Sequence, residues 1–412
     1  MKKIDNLREI CTVSYNTSDD NYVGIKYSDD DVKVYFPLGY EIPEDNSECR
    51  KSIMNLMRTI SIGNRILNSD SNNSILDGNE SEIPFESFIW IMNDYLNNGL
   101  YSDREKIYKR GQNGKINWKK TLNTKFYISG NSAVYLNPYV EKNTLEDNLI
   151  TDIHAYCVGV SINYIGWMFG EIPSPNTKIN SEKSDYYIKI LNREMVHSFD
   201  DRKKMLLINL KKIMEMAGGK NKSKLKNYGT AQFEYIWEYM VDKIYGNENV
   251  ELYFPNSKYH LINFDKPVES SNLRPDTLLS VENDMYILDS KYYKYGVTGN
   301  PLNLPSTDSV QKQITYGEHI KNNFKKYKKI YNAFIIPFNK NNNPFNLSNC
   351  IEYVGFSESS WKKPSNDNYY ERVSVILIDT KYLMDKYISY SDSEVEKMIA
   401  SIQKIVDTFP KN

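Results

Sequence analysis

The sequence predicts a mixed α/β fold. A C-terminal core with elements in the order αβββαβ follows a separate α+β domain. Three observations predict this. At 412 residues the chain is long enough for two domains of about 100–200 residues each. A run of glycines and lysines, Ala217 to Lys226, reads as a linker between residues 1–216 and 217–412. Beyond it, helical and strand periodicities alternate in a fixed order.

The elements justify this one by one. Tyr22–Tyr27 and Val32–Pro37 alternate apolar and polar residues around a Ser-Asp-Asp-Asp turn and read as strands. Ser52–Leu67, Phe85–Leu96 and Arg202–Met216 carry apolar residues at helical spacing, and Leu145–Phe169 reads as a long buried helix. After the linker, Thr230–Tyr245 is a helix with Phe233, Ile236, Trp237, Met240, Val241 and Ile244 on one face. Val250–Phe254 is expected as a strand, and Leu273–Val281 and Met285–Tyr293 as a hairpin around Glu-Asn-Asp. A helix over Ser309–Tyr327, strands at Tyr331–Phe338, Ile351–Phe356 and Val373–Ile378, and two closing helices complete the core.

Composition narrows the function. A net charge of −1 excludes a chain basic throughout but leaves room for local basic patches. The 34 tyrosines accompany abundant Lys, Asn and Ile and reflect coding bias rather than binding. Cys11, Cys49, Cys157 and Cys350 lack C-x-x-C spacing, which argues against a zinc knuckle or a disulfide framework and suits a reducing cytoplasm. Met-Lys-Lys-Ile-Asp-Asn is not followed by an apolar stretch, so no signal peptide is expected. No apolar run is long enough to span a bilayer, so no membrane partner is expected. His154, His197, His260 and His319 form no zinc-binding pattern, and no phosphate-loop motif for nucleotide hydrolysis appears.

One constellation carries chemistry: Pro275-Asp276 on one arm of the predicted hairpin and Asp289-Ser-Lys291 on the other. A turn centred on Asn283 places Asp276 opposite Ser290, and a one-residue slip places it opposite Asp289 or Lys291. Asp289 and Lys291, two apart, share a strand face. Two carboxylates on a rigid frame are the ligands Mg²⁺ takes beside a phosphate, and the amine can orient the attacking water. This is the pattern of a PD-(D/E)xK nuclease. A second D-x-K, Asp379-Thr-Lys381, has no Pro-Asp at hairpin distance, so Asp379 is expected as a strand end or helix N-cap.

Supporting residues remain open between two roles each. Glu234 borders the apolar face of its helix and is preferred over Glu238 as a third acid; the alternative is a surface glutamate in an i,i+4 pair. Gln313 and Tyr316 share a helix face, either steadying the site or packing the helix. Lys109, Arg110, Lys115, Lys119 and Lys120 surround Trp118, as a phosphate-contacting loop or as a surface turn with Trp118 in the core.

Tyr228-Gly-Thr-Ala-Gln-Phe-Glu234-Tyr-Ile-Trp-Glu238, the Asp276–Lys291 hairpin and Asp308 through Gln313-Ile-Thr-Tyr316-Gly resemble the LlaJI family of type II restriction endonucleases, itself similar to McrC nuclease subunits. Tyr35-Phe-Pro-Leu-Gly and Gly114-Lys-Ile-Asn-Trp118-Lys-Lys-Thr121 add to the resemblance. It implies site-specific cleavage of double-stranded DNA, a protective methyltransferase in the same system and an McrB-like NTPase partner. The first domain would then serve target recognition or partner docking. Gln313 and Tyr316 stand one residue closer than the Q-x-x-x-Y of McrC-like proteins. Two other functions compete: an McrC-like subunit that needs the NTPase and methylated DNA, and a non-catalytic DNA-binding or scaffold subunit.

Overall fold

The computed structural model describes residues 6–17, 20–28, 31–69, 83–111, 115–130, 132–146, 149–170, 172–219, 226–361, 364–365, 367–387 and 391–407. Two compact units emerge. One is formed by residues within 82–223, the other by residues within 2–81 together with 224–412.

The chain begins in the second unit. Strands β1 (Cys11–Val13), β2 (Val23–Tyr27) and β3 (Val32–Phe36) precede helix α1 (Asn46–Ser69). Val23, Ile25, Val32, Val34 and Phe36 are all buried, the period-2 signature of a strand with one face on a core.

The first unit follows. It contains α2 (Phe85–Asn98), β4 (Asp103–Arg110), β5 (Lys115–Ile116), a single helical turn α3 (Trp118–Thr121), β6 (Tyr127–Ser129), β7 (Ser132–Val134), β8 (Tyr139–Glu146), α4 (Leu149–Ile165), α5 (Ser184–His197) and α6 (Asp201–Gly218). Strands β4, β8 and β5 form one antiparallel sheet, and β6 pairs with β7 alone. Helix α4 supplies Ile153, Cys157 and Val158 to a helical core, with Phe88 and Ile91 of α2 and Leu206, Leu210 and Ile213 of α6. Asp94 there is nearly buried and is held by both Arg202 nitrogens, Nε at 2.7 Å and Nη2 at 2.9 Å. The long helix expected from Leu145 starts four residues later because β8 extends to Glu146.

The chain then returns to the second unit through β9 (Lys226–Thr230), which pairs antiparallel with β2. The sheet order is β1-β3-β2-β9. Gly24 and Gly229 face each other in that register. A Cβ on Gly229 would run into the Val23 carbonyl and lie 2.8 Å from the Gly24 Cα, so the close crossing requires glycine. The expected division at residues 216 and 217 is therefore corrected. One crossing between units does fall near the predicted linker. Residues 2–81, however, group with the C-terminal half rather than with 82–216. The physical reason is hydrogen bonding: Leu38 N–H donates to the Tyr292 hydroxyl at 2.6 Å, Thr380 Oγ1 to the Leu38 carbonyl at 2.8 Å, and Asn55 Nδ2 to Asp385 at 2.7 Å.

Helix α7 (Phe233–Tyr245) buries the apolar stripe read from the sequence. Val250–Tyr253 is a 3-10 turn, not the expected strand, because Asn249 caps it by accepting from Glu251 N–H at 3.1 Å. Two short strands, β10 (Lys258–Tyr259) and β11 (Val268–Glu269), pair with each other. The main sheet comprises β12 (Thr277–Val281), β13 (Asp284–Ser290), β14 (Lys329–Phe338), β15 (Ile351–Glu358) and β16 (Arg372–Asp379), in the order β12-β13-β14-β16-β15. The turn α8 (Tyr295–Thr298) and helix α9 (Thr307–Asn323) connect β13 to the parallel β14. Helices α10 (Thr380–Lys386) and α11 (Asp392–Asp407) close the chain. Strands β14 and β16 are buried almost throughout, as parallel strands covered on both faces are. On one face Tyr316 and Ile320 of α9 meet Leu278, Met285, Ile287 and Ile330. On the other, Trp237 Nε1 of α7 reaches the Ile335 carbonyl at 3.4 Å and Gln403 of α11 donates to Tyr286 Oη at 2.7 Å. No helix among the described residues is long and apolar enough to cross a membrane.

Candidate active site

Hairpin β12–β13 turns on two residues, Glu282 and Asn283, with Glu282 at φ 54°. The turn is one residue shorter than expected. Thr277 therefore pairs with Leu288, and Asp276 lies just before the paired segment, at the level of Asp289. Asp276 Oδ2 accepts the Ser290 N–H at 2.8 Å, which fixes its carboxylate across the two arms. Asp289 and Lys291 follow Met285 and Ile287 on the α9 face by the strand alternation. Lys291 N–H donates to the Ile335 carbonyl at 2.9 Å, extending the pairing past the strand end. Its Nζ lies 2.6 Å from Asp289 Oδ2, and both side chains are largely shielded from solvent. The group sits at the carboxyl end of the parallel strand β13, where open α/β sheets place their sites.

The third acid is Glu238, not the expected Glu234. Burial, and next the charge of Asp289, push Glu238 up to about 7. Asp276 is raised well above the usual carboxylate range by burial, then by Asp289 and Glu238, against the Ser290 N–H and Lys291. Glu234 is raised by burial and held back by a backbone hydrogen bond, with no influence from either aspartate. Its charge is felt instead at Tyr292. Glu238 is one helical turn further along α7, which aims it at the hairpin's open end. Burial opposes the Lys291 ammonium, yet Asp289 outweighs it and the net shift is upward. The amine therefore stays charged.

Three carboxylates crowded against one ammonium leave an excess of negative charge, and raised proton affinity is its signature. Such an all-oxygen donor set fits a hard divalent cation. As the side chains stand, no three His, Cys, Asp or Glu residues among those described are close enough to hold one. The Lys291 ammonium holds the Asp289 oxygen a cation would take.

Tyr316 donates its hydroxyl to the Arg274 carbonyl at 2.8 Å, anchoring the backbone just before Asp276. Its own ionisation is raised by burial, then by Asp289 and Asp276. Gln313 is wholly buried, and neither end of its amide finds a partner. Its carbonyl accepts from Asn332 Nδ2 at 2.8 Å. Asp379 is the N-cap of α10, accepting from Tyr382 N–H at 2.8 Å, and its second oxygen accepts from Lys340 N–H at 3.0 Å. Both oxygens are thus engaged structurally. Lys115, Lys119 and Lys120 lie on the first unit, all exposed, and Trp118 beside them is exposed rather than in the core.

Comparison with known proteins places this geometry. The model of the family described as LlaJI restriction endonuclease matches residues 22–357. The chain belongs to the LlaJI restriction endonuclease family. The match takes in β2, both units and the hairpin with Asp276, Asp289 and Lys291. This LlaJI family member is 24% identical over 333 residues to the type II restriction enzyme BsuMI component YdjA of Bacillus subtilis, covering 74% of this chain and 67% of that protein. A solved assembly of Thermococcus gammatolerans McrB AAA+ hexamers with bound McrC contains a similar chain. It is 14% identical with a TM-score of 0.37, covering 93% of this chain and 83% of that one.

Proposed function

We propose that this chain is the cleaving subunit of a cytoplasmic restriction system, hydrolysing phosphodiester bonds of double-stranded DNA with Mg²⁺. One observation carries the reading: Asp276, Asp289 and Lys291 converge at one end of a hairpin, with Glu238 brought in from α7. This is the arrangement of a PD-(D/E)xK core. Asp276 and Asp289 are the ligands for the metal, with Glu238 as a third acid beside them. Bound Mg²⁺ would supply Lewis-acid stabilisation of charge on the phosphate. Lys291 then turns from Asp289 toward the attacking water and orients it. Ser290 N–H and the Tyr316 hydroxyl hold the Asp276 arm in place, so the acids need little reorganisation.

Membership of a restriction endonuclease family supports hydrolysis. The relative's description as a component supports a second reading, in which cleavage needs partner subunits. An McrB-like NTPase and a cognate methyltransferase are the partners proposed. The test is plasmid cleavage in Mg²⁺ by the chain alone and with those partners, on methylated and unmethylated DNA, for wild type and Lys291→Ala. Wild type should cut and Lys291→Ala should lose at least about 100-fold in rate, the scale of general acid–base help. Intact DNA with every partner present, or equal cutting by the variant, would rule the hydrolytic reading out in favour of a scaffold subunit.

A further inference from the structure

The first unit carries a surface that the hydrolytic centre does not use. From Gly111 to Val140 the sequence holds Lys115, Lys119, Lys120 and Lys125 and no Asp or Glu. All four lysines are exposed. Among them stand Trp118, 56% exposed, Phe126, 52% exposed, and Tyr127, 63% exposed. Large aromatic side chains are seldom left this open on a soluble surface, and a cluster of them marks a contact site.

The cluster is held in place. Asn117 Oδ1 accepts from Lys120 N–H at 3.1 Å and caps the single turn of α3. Asn117 N–H donates to the Tyr139 carbonyl at 2.8 Å, and the buried Thr121 hydroxyl accepts the Tyr139 N–H at 2.9 Å. The turn is thus pinned to β8 from both ends, with Trp118 pointing out. Tyr135 bridges the aromatics, 6.3 Å from Trp118 edge-on and 5.9 Å from Phe126. Hairpin β6–β7 continues the surface, exposing Ile128 and Val134. A two-stranded hairpin this bare is marginal without a covering partner.

We infer that this surface binds DNA through a strand with an unstacked base, the lysines taking phosphates and Trp118 with Phe126 stacking on the base. The charge decides the occupant: four cations with no counter-charge in the segment suit a polyanion, whereas an apolar protein partner would not need them. The aromatics decide the form of the DNA, because a paired duplex buries its base faces and offers nothing to stack on. The inference rests on the reading of the chain as a DNA enzyme and adds the state of DNA it grips.

The test measures binding, not cutting. The full chain, free of metal in EDTA, is titrated by fluorescence anisotropy against a labelled duplex, the same duplex with one unpaired central base, and the single strand, at several salt concentrations. Wild type should prefer the two DNAs with unstacked bases. Lys115→Gln/Lys119→Gln/Lys120→Gln/Lys125→Gln should reduce the log–log salt slope by about 3, since each phosphate contact contributes roughly 0.7–0.9. Trp118→Ala should weaken the unpaired-base DNAs about 5–100-fold, the scale of one stacked base, and leave the duplex within about twofold. Circular dichroism and melting of each variant verify folding. Unchanged DNA binding by both variants overturns the proposal. So does loss of cleavage only in a partner-dependent assay, which would make the surface a protein dock, or equal weakening on all three DNAs by Trp118→Ala. If the hydrolytic reading fails instead, Lys291→Ala cleaves like wild type while these binding losses persist.

Discussion

Glu238→Gln should make the metal-free protein more stable at alkaline pH while slowing cleavage. In the folded chain Glu238 titrates at about 7 against an ordinary 4.5, because burial and then Asp289 disfavour its charge. The sign follows from proton linkage. A carboxylate raised on folding favours the native state while it is protonated, and that advantage is lost as pH rises from 4.5 through 7. Each unit is worth 1.36 kcal/mol, so about 3 kcal/mol is lost across the window. Asp276 is also raised and interacts with Glu238, so the two titrate together. Glutamine keeps the shape and removes the charge, so at pH 8 the variant regains up to about 3 kcal/mol, or roughly 6–12 °C in Tm for a unit of this size. The assay is thermal unfolding of wild type, Glu238→Gln and Glu234→Gln from pH 5 to 8, with and without Mg²⁺. Glu238→Gln should flatten the profile, and Mg²⁺ should stabilise wild type more than this variant. A profile flattened by Glu234→Gln and untouched by Glu238→Gln would refute the placement of the third acid.

Three further outcomes are expected. His154 is fully buried, accepts Tyr101 N–H at 3.0 Å and is lowered by burial to about 4 from 6.5. Its contribution is present above pH 6.5 and is lost as pH falls through 4, about 3 kcal/mol in all. Urea melts between pH 4 and 7 should show a shallower fall for His154→Gln, and an identical fall would count against it. Tyr316→Phe removes the bond to the Arg274 carbonyl; stability should drop about 1 kcal/mol, and kcat should fall more than KM rises if the hydroxyl sets the Asp276 arm. Gly229→Ala drives a methyl into β2 and should cost about 1–3 kcal/mol or more, read as a lowered urea midpoint; a midpoint equal to wild type would contradict the observed crossing.

The hairpin was legible because apolar arms flank a polar turn and the Asp276-to-Lys291 distance in number matches two short strands. Its register was missed by one, since Glu-Asn-Asp reads equally as a two- or three-residue turn. The split between Glu234 and Glu238 was not legible. Both border the apolar stripe of α7, and only the position of the helix over the sheet decides which one meets Asp289. Strand β4, Asp-Arg-Glu-Lys-Ile-Tyr-Lys-Arg, carries no apolar alternation, and its ladder with β8 comes from backbone pairing alone. The attachment of residues 2–81 to the C-terminal half has no local trace, because β2 and β9 meet across a whole intervening unit.

That long-range pairing sets an order of events during synthesis. Strand β2 leaves the ribosome roughly 200 residues before β9 exists to cover it. At about 5–20 residues per second its open edge waits on the order of 10–40 s. Meanwhile the intervening unit can reach its own fold and bring the two ends together. A gene cut at the linker would leave each half of the hydrolytic body without its complement. Mixing the two halves, rather than expressing the second alone, is how a split version of this protein would be made to work.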